Sequence, residues 1–333
     1  MKDELNSIVQ AVNLTKKFGE KTAVDHVSFD VAEGELFGFL GPNGAGKTTT
    51  IRMLTTLASI SEGNAIVAGF DVAKDPGAVR ASIGVVPQEL TADDELKGIE
   101  NVLLSAKLHH IPNDAARRKA RYLFKLVDLE SSAEKRVKTY SGGMRRRLQL
   151  AMGLIHNPKI LFLDEPSLGL DVQTRQRMWD DIRQLNHDDG ITVFMTTHYL
   201  EEADLLCDRV AIVDNGIIKV SGPPSELKEK LGGDILSIEV KDGPDLTGFL
   251  HDVPDVLEVS KVNHTYRIKI PQVEKALPEI VEGVALRGLK ISDISFTKPT
   301  LDQVFLELTG RKIRDTEENG GSLAARVLLE RVN

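Results

Sequence analysis

The segment from Gly41 to Thr48 has the residue types and the spacing of a loop that binds phosphate groups. It satisfies the pattern G-x-x-x-x-G-K-[ST] and directly follows the apolar run Leu36–Leu40. Glycines let the backbone direct successive N–H groups at phosphate oxygens, and the helix that follows adds the positive end of its dipole. We therefore expect Lys47 to contact the β- and γ-phosphates of a nucleotide and Thr48 to hold Mg²⁺. The residues of this segment expected to bind the nucleotide are Gly41, Pro42, Asn43, Gly44, Ala45, Gly46, Lys47, Thr48 and Thr49.

Two adjacent carboxylates, Asp164 and Glu165, follow the apolar run Ile160–Leu163. Because successive side chains of a strand point to opposite faces, the two acids can have different roles. Asp164 is suited to the Mg²⁺ shell, and Glu165 is suited to orienting or deprotonating an attacking water. Taken alone, the pair also fits a solvated turn at a strand end, so the assignment depends on the rest of the sequence.

The composition is that of a globular protein, with 41% hydrophobic and 28% charged residues in a chain of 333. A net charge of −8 argues against a nucleic-acid partner, and we expect Arg145–Arg147 to form a solvated helix face or ion pairs. The single cysteine, Cys207, excludes an internal disulfide and is expected to be a packed thiol. Neither a signal peptide nor a run of ~20 apolar residues is present, so we expect a cytoplasmic protein that reaches a membrane only through a partner.

The periodicity of apolar residues divides the chain into two domains and a tail. Residues 1–232 predict an α/β domain, in which buried parallel strands alternate with helices and a helical subdomain is inserted at about 89–140. Residues 233–310 predict a small α+β domain. Its expected strands lie near 235–240, 266–270 and 291–296, and its expected helices near 273–286 and 300–308. The tail, 311–333, is expected either to be disordered or to form a short amphipathic helix.

The sequence resembles the ABC ATPase family, because Tyr140–Met144 matches its signature, usually Leu-Ser-Gly-Gly-Gln, ahead of the acidic strand. The resemblance implies a P-loop ABC ATPase domain with a mostly parallel core sheet, an antiparallel β subdomain and an inserted helical subdomain. It further implies that the signature of one copy closes over ATP held by the phosphate loop of a second copy, in a head-to-tail dimer. Met144 replaces the usual glutamine, which puts an amide-mediated contact there in doubt. The signature residues implied to bind ATP are Ser141, Gly142 and Gly143.

The family's remaining elements occur in order along the chain. The resemblance implies that Gln88 senses Mg²⁺ and the permease, and that Asp171 lies in a loop that crosses to the partner copy. It also implies that His198 is the switch histidine and that Phe18 stacks on adenine. Taken singly, these residues fit a surface amide, a capping histidine or a core aromatic, and only their order and spacing favour the functional interpretation. The implied catalytic residues are Glu165, His198 and Gln88, and the implied metal ligands are Thr48, Gln88 and Asp164.

The segment Lys298–Gly310 resembles the ending of daunorubicin-resistance-type export ATPases, as does the run Asp94–Asn101. This subgroup implies an ATPase subunit that drives a separate multi-spanning permease at the inner face of the membrane. The exported substrate would be a drug-like molecule, a lipid or a polysaccharide.

Two other hypotheses stay open from the sequence. The chain could be a non-transport regulatory or assembly ATPase whose C-terminal domain binds a protein. Alternatively, the segment Ser322–Val332 could be an amphipathic helix that docks on a partner or on a second copy.

Overall fold

The computed structural model describes residues 7–241 and 243–310. These residues belong to two compact units, and the boundary in the chain lies between Ser221 and Gly222. Two short 3₁₀ turns, Glu130–Ser132 and Val137–Thr139, lie in the first unit. Its strands and helices in chain order are β1 Ser7–Phe18, β2 Lys21–Ala32, β3 Leu36–Leu40, α1 Lys47–Leu54, β4 Glu62–Val67, β5 Phe70–Asp71, α2 Pro76–Ser82, β6 Ile83–Val86, α3 Gly98–Leu108, α4 Asn113–Leu126, α5 Gly142–Leu154, β7 Ile160–Asp164, α6 Val172–His187, β8 Thr192–Thr197, α7 Leu200–Leu206, β9 Arg209–Asp214 and β10 Ile217–Gly222.

A six-stranded sheet in the order β10-β9-β3-β8-β7-β6 forms the centre of the first unit. The five strands β9, β3, β8, β7 and β6 each run parallel to their neighbours in this group. Every residue of β3, β7 and β8 is buried, which explains why these strands are largely apolar and do not alternate. Parallel strands end at one edge of a sheet, so the loops after β3, β6, β7 and β8 lie close together. The α/β fold predicted from the sequence is confirmed.

An antiparallel sheet in the order β2-β1-β4-β5 packs on this core. The contact runs through Phe29 of β2, whose ring centroid lies 5.7 Å from that of Phe37 and 5.8 Å from that of Phe194. Buried aromatic rings in contact are among the larger contributors to a core. This packing holds the β1–β2 hairpin, with Phe18 at its tip, near the loop that follows β3.

Helices α3 and α4 pack against α5 and form the inserted helical subdomain. Tyr140, at the end of this insertion, is buried, and its hydroxyl donates a hydrogen bond to the Ser132 carbonyl at 2.6 Å. This contact fixes the chain immediately before α5, which is the helix that begins at the signature.

The arginines of α5 agree only in part with the solvated face or ion pairs that the sequence predicted. Arg145 does pair with Asp94, at 2.5 Å. Arg146 and Arg147, however, are only 4% and 8% exposed, and both donate hydrogen bonds to backbone carbonyls of other segments. Arg147 also pairs with Asp128, with 3.4 Å between Nη1 and Oδ2, so the predicted ion pair is present there. The prediction was wrong for Arg146, because a charge run reveals nothing about buried carbonyls that the fold brings alongside it.

The elements of the second unit are α8 Pro224–Glu229, β11 Asp234–Val240, α9 Thr247–Asp252, β12 Glu258–Val262, β13 Thr265–Ile270, α10 Val273–Leu286, β14 Ile291–Thr297 and α11 Leu301–Thr309. Its strands form a four-stranded antiparallel sheet in the order β12-β13-β11-β14. Its core consists of alternate strand residues that pack with α10 around Ile280. The sequence did not predict α9 or β12, because β12 is an exposed edge strand without an apolar alternation.

The second unit begins at Gly222, before the expected boundary at residue 233. The difference arises because Pro224 begins α8, whose Leu227 is buried and which packs against α11. The tail, 311–333, lies outside the described residues, and so does the hypothesis of a docking helix at Ser322–Val332. Within residues 7–241 and 243–310, no helix is both long and apolar enough to cross a membrane.

Candidate functional site

The glycine-rich segment forms the turn between β3 and α1. Gly46 has φ = 103°, and a Cβ there would lie 2.5 Å from the Ala23 carbonyl oxygen, so conformation and space both require glycine. Because α1 starts at Lys47, the unpaired N–H groups of its first turn face this loop. The buried Lys47 ammonium donates to the carbonyls of Gly41 and Pro42, at 2.7 and 3.2 Å. Amides and an ammonium directed into one loop provide a phosphate-binding arrangement.

Asp164 connects three elements at the carboxyl end of the core sheet. Its Oδ1 accepts a hydrogen bond from Thr196 at the end of β8, at 2.6 Å, and another from Thr48 in α1, at 3.2 Å. The side chain is 4% exposed. A hydroxyl and a carboxylate therefore lie side by side beneath the phosphate loop, as a hard divalent cation requires.

Glu165 does not continue β7, although the sequence suggested that it points opposite to Asp164 along a strand. Its φ is 51°, a left-handed conformation that costs a residue with a side chain about 1–3 kcal/mol. The Glu165 N–H donates to Thr196 Oγ1 at 3.0 Å, which helps to hold this conformation. The turn brings the carboxylate beside Lys47, with 3.0 Å between Lys47 Nζ and Glu165 Oε1.

Glu165 is buried and also contacts His198, with 3.0 Å between His198 Nδ1 and Glu165 Oε2. Burial by itself raises the pKa of Glu165, but the hydrogen bond from His198 and the charge of Lys47 outweigh it. The pKa of Glu165 therefore lies below its usual value, and the group is a carboxylate at neutral pH. Since a carboxylate can only accept, the Nδ1 atom of His198 carries the proton of this bond.

A cavity of about 370 Å³ is lined by nine of the eighteen predicted site residues. This volume lies within the range of roughly 300–1,000 Å³ that is typical of small-ligand sites. Phe18 is 55% exposed at one end, while Lys47 and Glu165 lie at the phosphate-loop end. The lining residues are Phe18, Lys21, Ala23, Asn43, Gly44, Gly46, Lys47, Thr48, Thr49, Gln88 and Glu165.

Sequence reasoning missed Lys21 and Thr196. Lys21 lines the cavity because it is the direct cross-strand neighbour of Phe18 in the β1–β2 hairpin. A hairpin prediction around Gly19 could have revealed that neighbour. Thr196 bonds to both acids, but a threonine within a buried strand carries no sequence signal of such a role.

The signature residues and Asp171 form a separate cluster and do not line this cavity. Ser141 caps α5 and accepts a hydrogen bond from the Met144 N–H at 3.3 Å. Asp171 caps α6 and accepts from the N–H and the hydroxyl of Thr174, at 3.0 and 2.7 Å. Gly143 packs directly on Thr174, since a Cβ at Gly143 would lie 2.2 Å from Thr174 Cγ2. The two predicted motifs are thus joined within one chain.

Comparisons with known proteins agree with this geometry. Residues 24–168 match the family model described as ABC transporter. Residues 222–309 match the model described as ATP-binding protein DrrA1-3-like, C-terminal domain. The first match includes the phosphate loop, the signature and the two acids, and the second corresponds to the second compact unit.

Proteins similar over nearly the whole chain include the daunorubicin resistance ATP-binding protein DrrA2 of Streptomyces coeruleorubidus. It is 40% identical over 313 residues, which cover 93% of this chain and 97% of the relative. The linearmycin resistance ATP-binding protein LnrL of Bacillus subtilis (strain 168) is 35% identical over 313 residues, which cover 92% of this chain and 100% of the relative.

Among solved structures, the first unit resembles a dimeric ATP-binding cassette in a post-hydrolysis state, bound to ADP and Pi. The identity is 27% and the TM-score is 0.60, with 65% of this chain and 98% of that chain covered. The site geometry and these similarities lead to one conclusion. The chain belongs to the family of ABC transporter ATP-binding proteins, which bind and hydrolyse ATP.

Proposed function

We propose that this chain is the ATP-hydrolysing subunit of an exporter and drives a separate multi-spanning permease at the inner face of the cell membrane. The observation that carries the proposal is the cavity in which Lys47, Thr48 and Glu165 meet an exposed aromatic, Phe18. The names of the relatives, which concern resistance to daunorubicin and linearmycin, favour a drug-like substrate over a lipid or a polysaccharide.

The residues around Asp164 fit a Mg²⁺ ion that is shared with the nucleotide. Magnesium is typically held by one or two carboxylates together with phosphate oxygens and water. The Thr48 hydroxyl lies 3.2 Å from Asp164 Oδ1, and Thr48 lines the cavity together with Gln88, which supplies an amide. When bound, the ion would neutralise charge on the phosphates during their transfer.

In the proposed reaction, Glu165 accepts a proton from water while the water oxygen bonds to the γ-phosphorus. The bond between that phosphorus and the bridging oxygen of ADP breaks in the same step. Lys47 exchanges its ion pair with Glu165 for phosphate oxygens, which frees the carboxylate for the water. His198 fixes the orientation of the carboxylate through Oε2. Catalysis in this reaction depends mostly on positioning and charge stabilisation.

The exposed signature provides the surface for a second copy. Ser141 and Gly142 are exposed at the start of α5, where backbone amides form an anion site. In the proposed head-to-tail dimer, this surface would close over ATP that is held by Lys47 and Phe18 of the partner copy. Asp171 lies beside the signature and would approach the partner together with it.

The test is the Glu165→Gln variant, which keeps the size of the side chain and removes the base. We expect ATP binding to persist, turnover to fall by roughly 100-fold or more, and the dimer to accumulate with ATP in size-exclusion chromatography. Near-normal turnover would overturn the assignment of Glu165. Affinity purification from membranes tests the transport role, because recovery of a soluble partner without a multi-spanning subunit would favour a regulatory ATPase.

A further inference from the structure

The guanidinium of Arg146 holds the backbone of the segment that carries Gln88. Arg146 lies in the first turns of α5, which begins at the signature. Its Nη1 donates to the Pro87 carbonyl at 2.7 Å, and its Nη2 donates to the Gln88 carbonyl at 2.9 Å. The residue is 4% exposed, so these bonds are shielded from water. A planar fork that spans two consecutive carbonyls is geometry that arginine provides and lysine does not.

A second side chain of α5 binds the next backbone carbonyl of the same segment. Gln149 Nε2 donates to the Glu89 carbonyl at 2.7 Å, and Gln149 Oε1 accepts from Arg146 Nη1 at 3.1 Å. Three consecutive carbonyls, those of residues 87–89, are therefore attached to one face of α5. The loop that presents Gln88 to the cavity is held mainly by the signature helix.

The charge of Arg146 also lies close to the reacting centre. Burial lowers the pKa of Arg146, while the negative charges of Asp164 and Glu165 act in the opposite direction. Both carboxylates are thus near enough to interact with the guanidinium.

We propose that Arg146 is a positioning residue that couples the signature end of α5 to Gln88 in the nucleotide cavity of the same chain. This inference rests on the proposed function. When a second copy's nucleotide engages Ser141 and Gly142, a displacement of α5 is transmitted through the fork to the backbone of Gln88. The two nucleotide surfaces of one chain are then linked through Arg146.

The next residue of the helix provides a matched control. Arg147 is also buried and also donates to two consecutive carbonyls, those of Val127 and Asp128, at 3.0 and 3.3 Å, although both bonds come from Nη1. Those two residues directly follow α4 in the helical subdomain and do not line the nucleotide cavity. An Arg147→Lys substitution therefore perturbs a second buried arginine of the same helix without touching the segment of Gln88.

The experiment compares Arg146→Lys with Arg147→Lys in the full chain, with thermal unfolding and steady-state ATP hydrolysis as readouts. We expect similar losses of thermal stability in both variants. Arg146→Lys should lower kcat roughly 10- to 100-fold with little change in KM for ATP, because misplacement of a positioning group by about 1 Å has effects of this size. It should also raise the Mg²⁺ concentration needed for half-maximal turnover. Arg147→Lys should keep the kcat of the unmodified chain.

A double-mutant cycle with Gln88→Ala distinguishes positioning from a general structural effect. If Arg146 acts through Gln88, then Arg146→Lys should slow the Gln88→Ala variant by much less than it slows the unmodified chain. Full additivity of the two effects, or an equal loss of kcat in Arg147→Lys, would overturn the proposal. The proposed function is refuted by a different result: near-normal turnover of Glu165→Gln, whatever the Arg146 variant shows.

Discussion

Replacing Gly143 with alanine tests whether the signature glycine is required for packing inside one chain. A Cβ at this position would lie 2.2 Å from Thr174 Cγ2, more than 1 Å short of an ordinary carbon contact of about 3.5–4.0 Å. Overpacking of this kind costs about 1–3 kcal/mol of the free energy of unfolding. With an m-value of roughly 2 kcal/mol/M, the urea midpoint should fall by about 0.5–1.5 M.

The neighbouring glycine and the opposing threonine supply the controls. A Cβ at Gly142 meets nothing within 4 Å, so Gly142→Ala should leave the midpoint unchanged or raise it slightly. Thr174→Ser removes the clashing methyl group but keeps the hydroxyl that bonds to Asp171. We therefore expect Thr174→Ser to restore much of the stability that Gly143→Ala loses.

The fluorescence of Trp179, the only tryptophan, reports unfolding of the first unit. Trp179 is buried on α6, the same helix as Thr174, and its indole donates to Glu202 Oε1 at 2.8 Å. A Gly143→Ala midpoint equal to that of the unmodified chain would refute the packing argument. So would a failure of Thr174→Ser to improve that variant. If stability returns in the double variant while ATP turnover does not, the methyl group obstructs the nucleotide surface as well.

Two further predictions concern carboxylates with lowered pKa values. His198→Ala removes a hydrogen bond that lowers the pKa of Glu165, so that pKa rises. The acid limb of kcat/KM for ATP should move to higher pH, and an unchanged limb in the pH–rate profile would contradict this. In the second unit, hydrogen bonds lower the pKa of Asp245 to about 2, and the bond with Thr247 has the largest effect. Because the folded-state pKa is the lower one, this stabilisation is complete above about pH 4 and is lost as pH falls toward 2. Calorimetry should therefore find Asp245→Asn less stable at pH 7, with a difference that disappears near pH 2; a pH-independent difference would exclude this origin.

Much of the site could be predicted because its signals are local in the chain. The loop from Gly41 to Gly46 must fold tightly. At Gly46 the φ is 103° and a Cβ would lie 2.5 Å from a carbonyl oxygen, which only glycine tolerates. The buried strands that precede Gly41 and Asp164 are short apolar runs, and their parallel order requires both loops to reach one edge. Residue type and spacing were therefore sufficient to predict the phosphate loop and the acidic pair.

The second unit illustrates the same rule. Strand β11 and helix α10 were predicted closely, because each buries a regular set of apolar side chains. Strand β12 was missed because its residues, Glu258–Val262, do not alternate between apolar and polar types. The opposite edge strand, β14, has no buried residue either, but it was predicted because apolar and polar residues alternate over 294–296.

The sequence by itself determined that a phosphate loop, an acidic strand end and a signature occur in this order, because each depends on residues adjacent in the chain. Only the tertiary structure decided how they act on one another. It turned Glu165 out of its strand toward Lys47 and His198, and it placed Gly143 on Thr174. It also buried Arg146 against the carbonyls beside Gln88. These contacts join residues far apart in the chain, so their geometry exists only once the sheet and the helical insertion have packed.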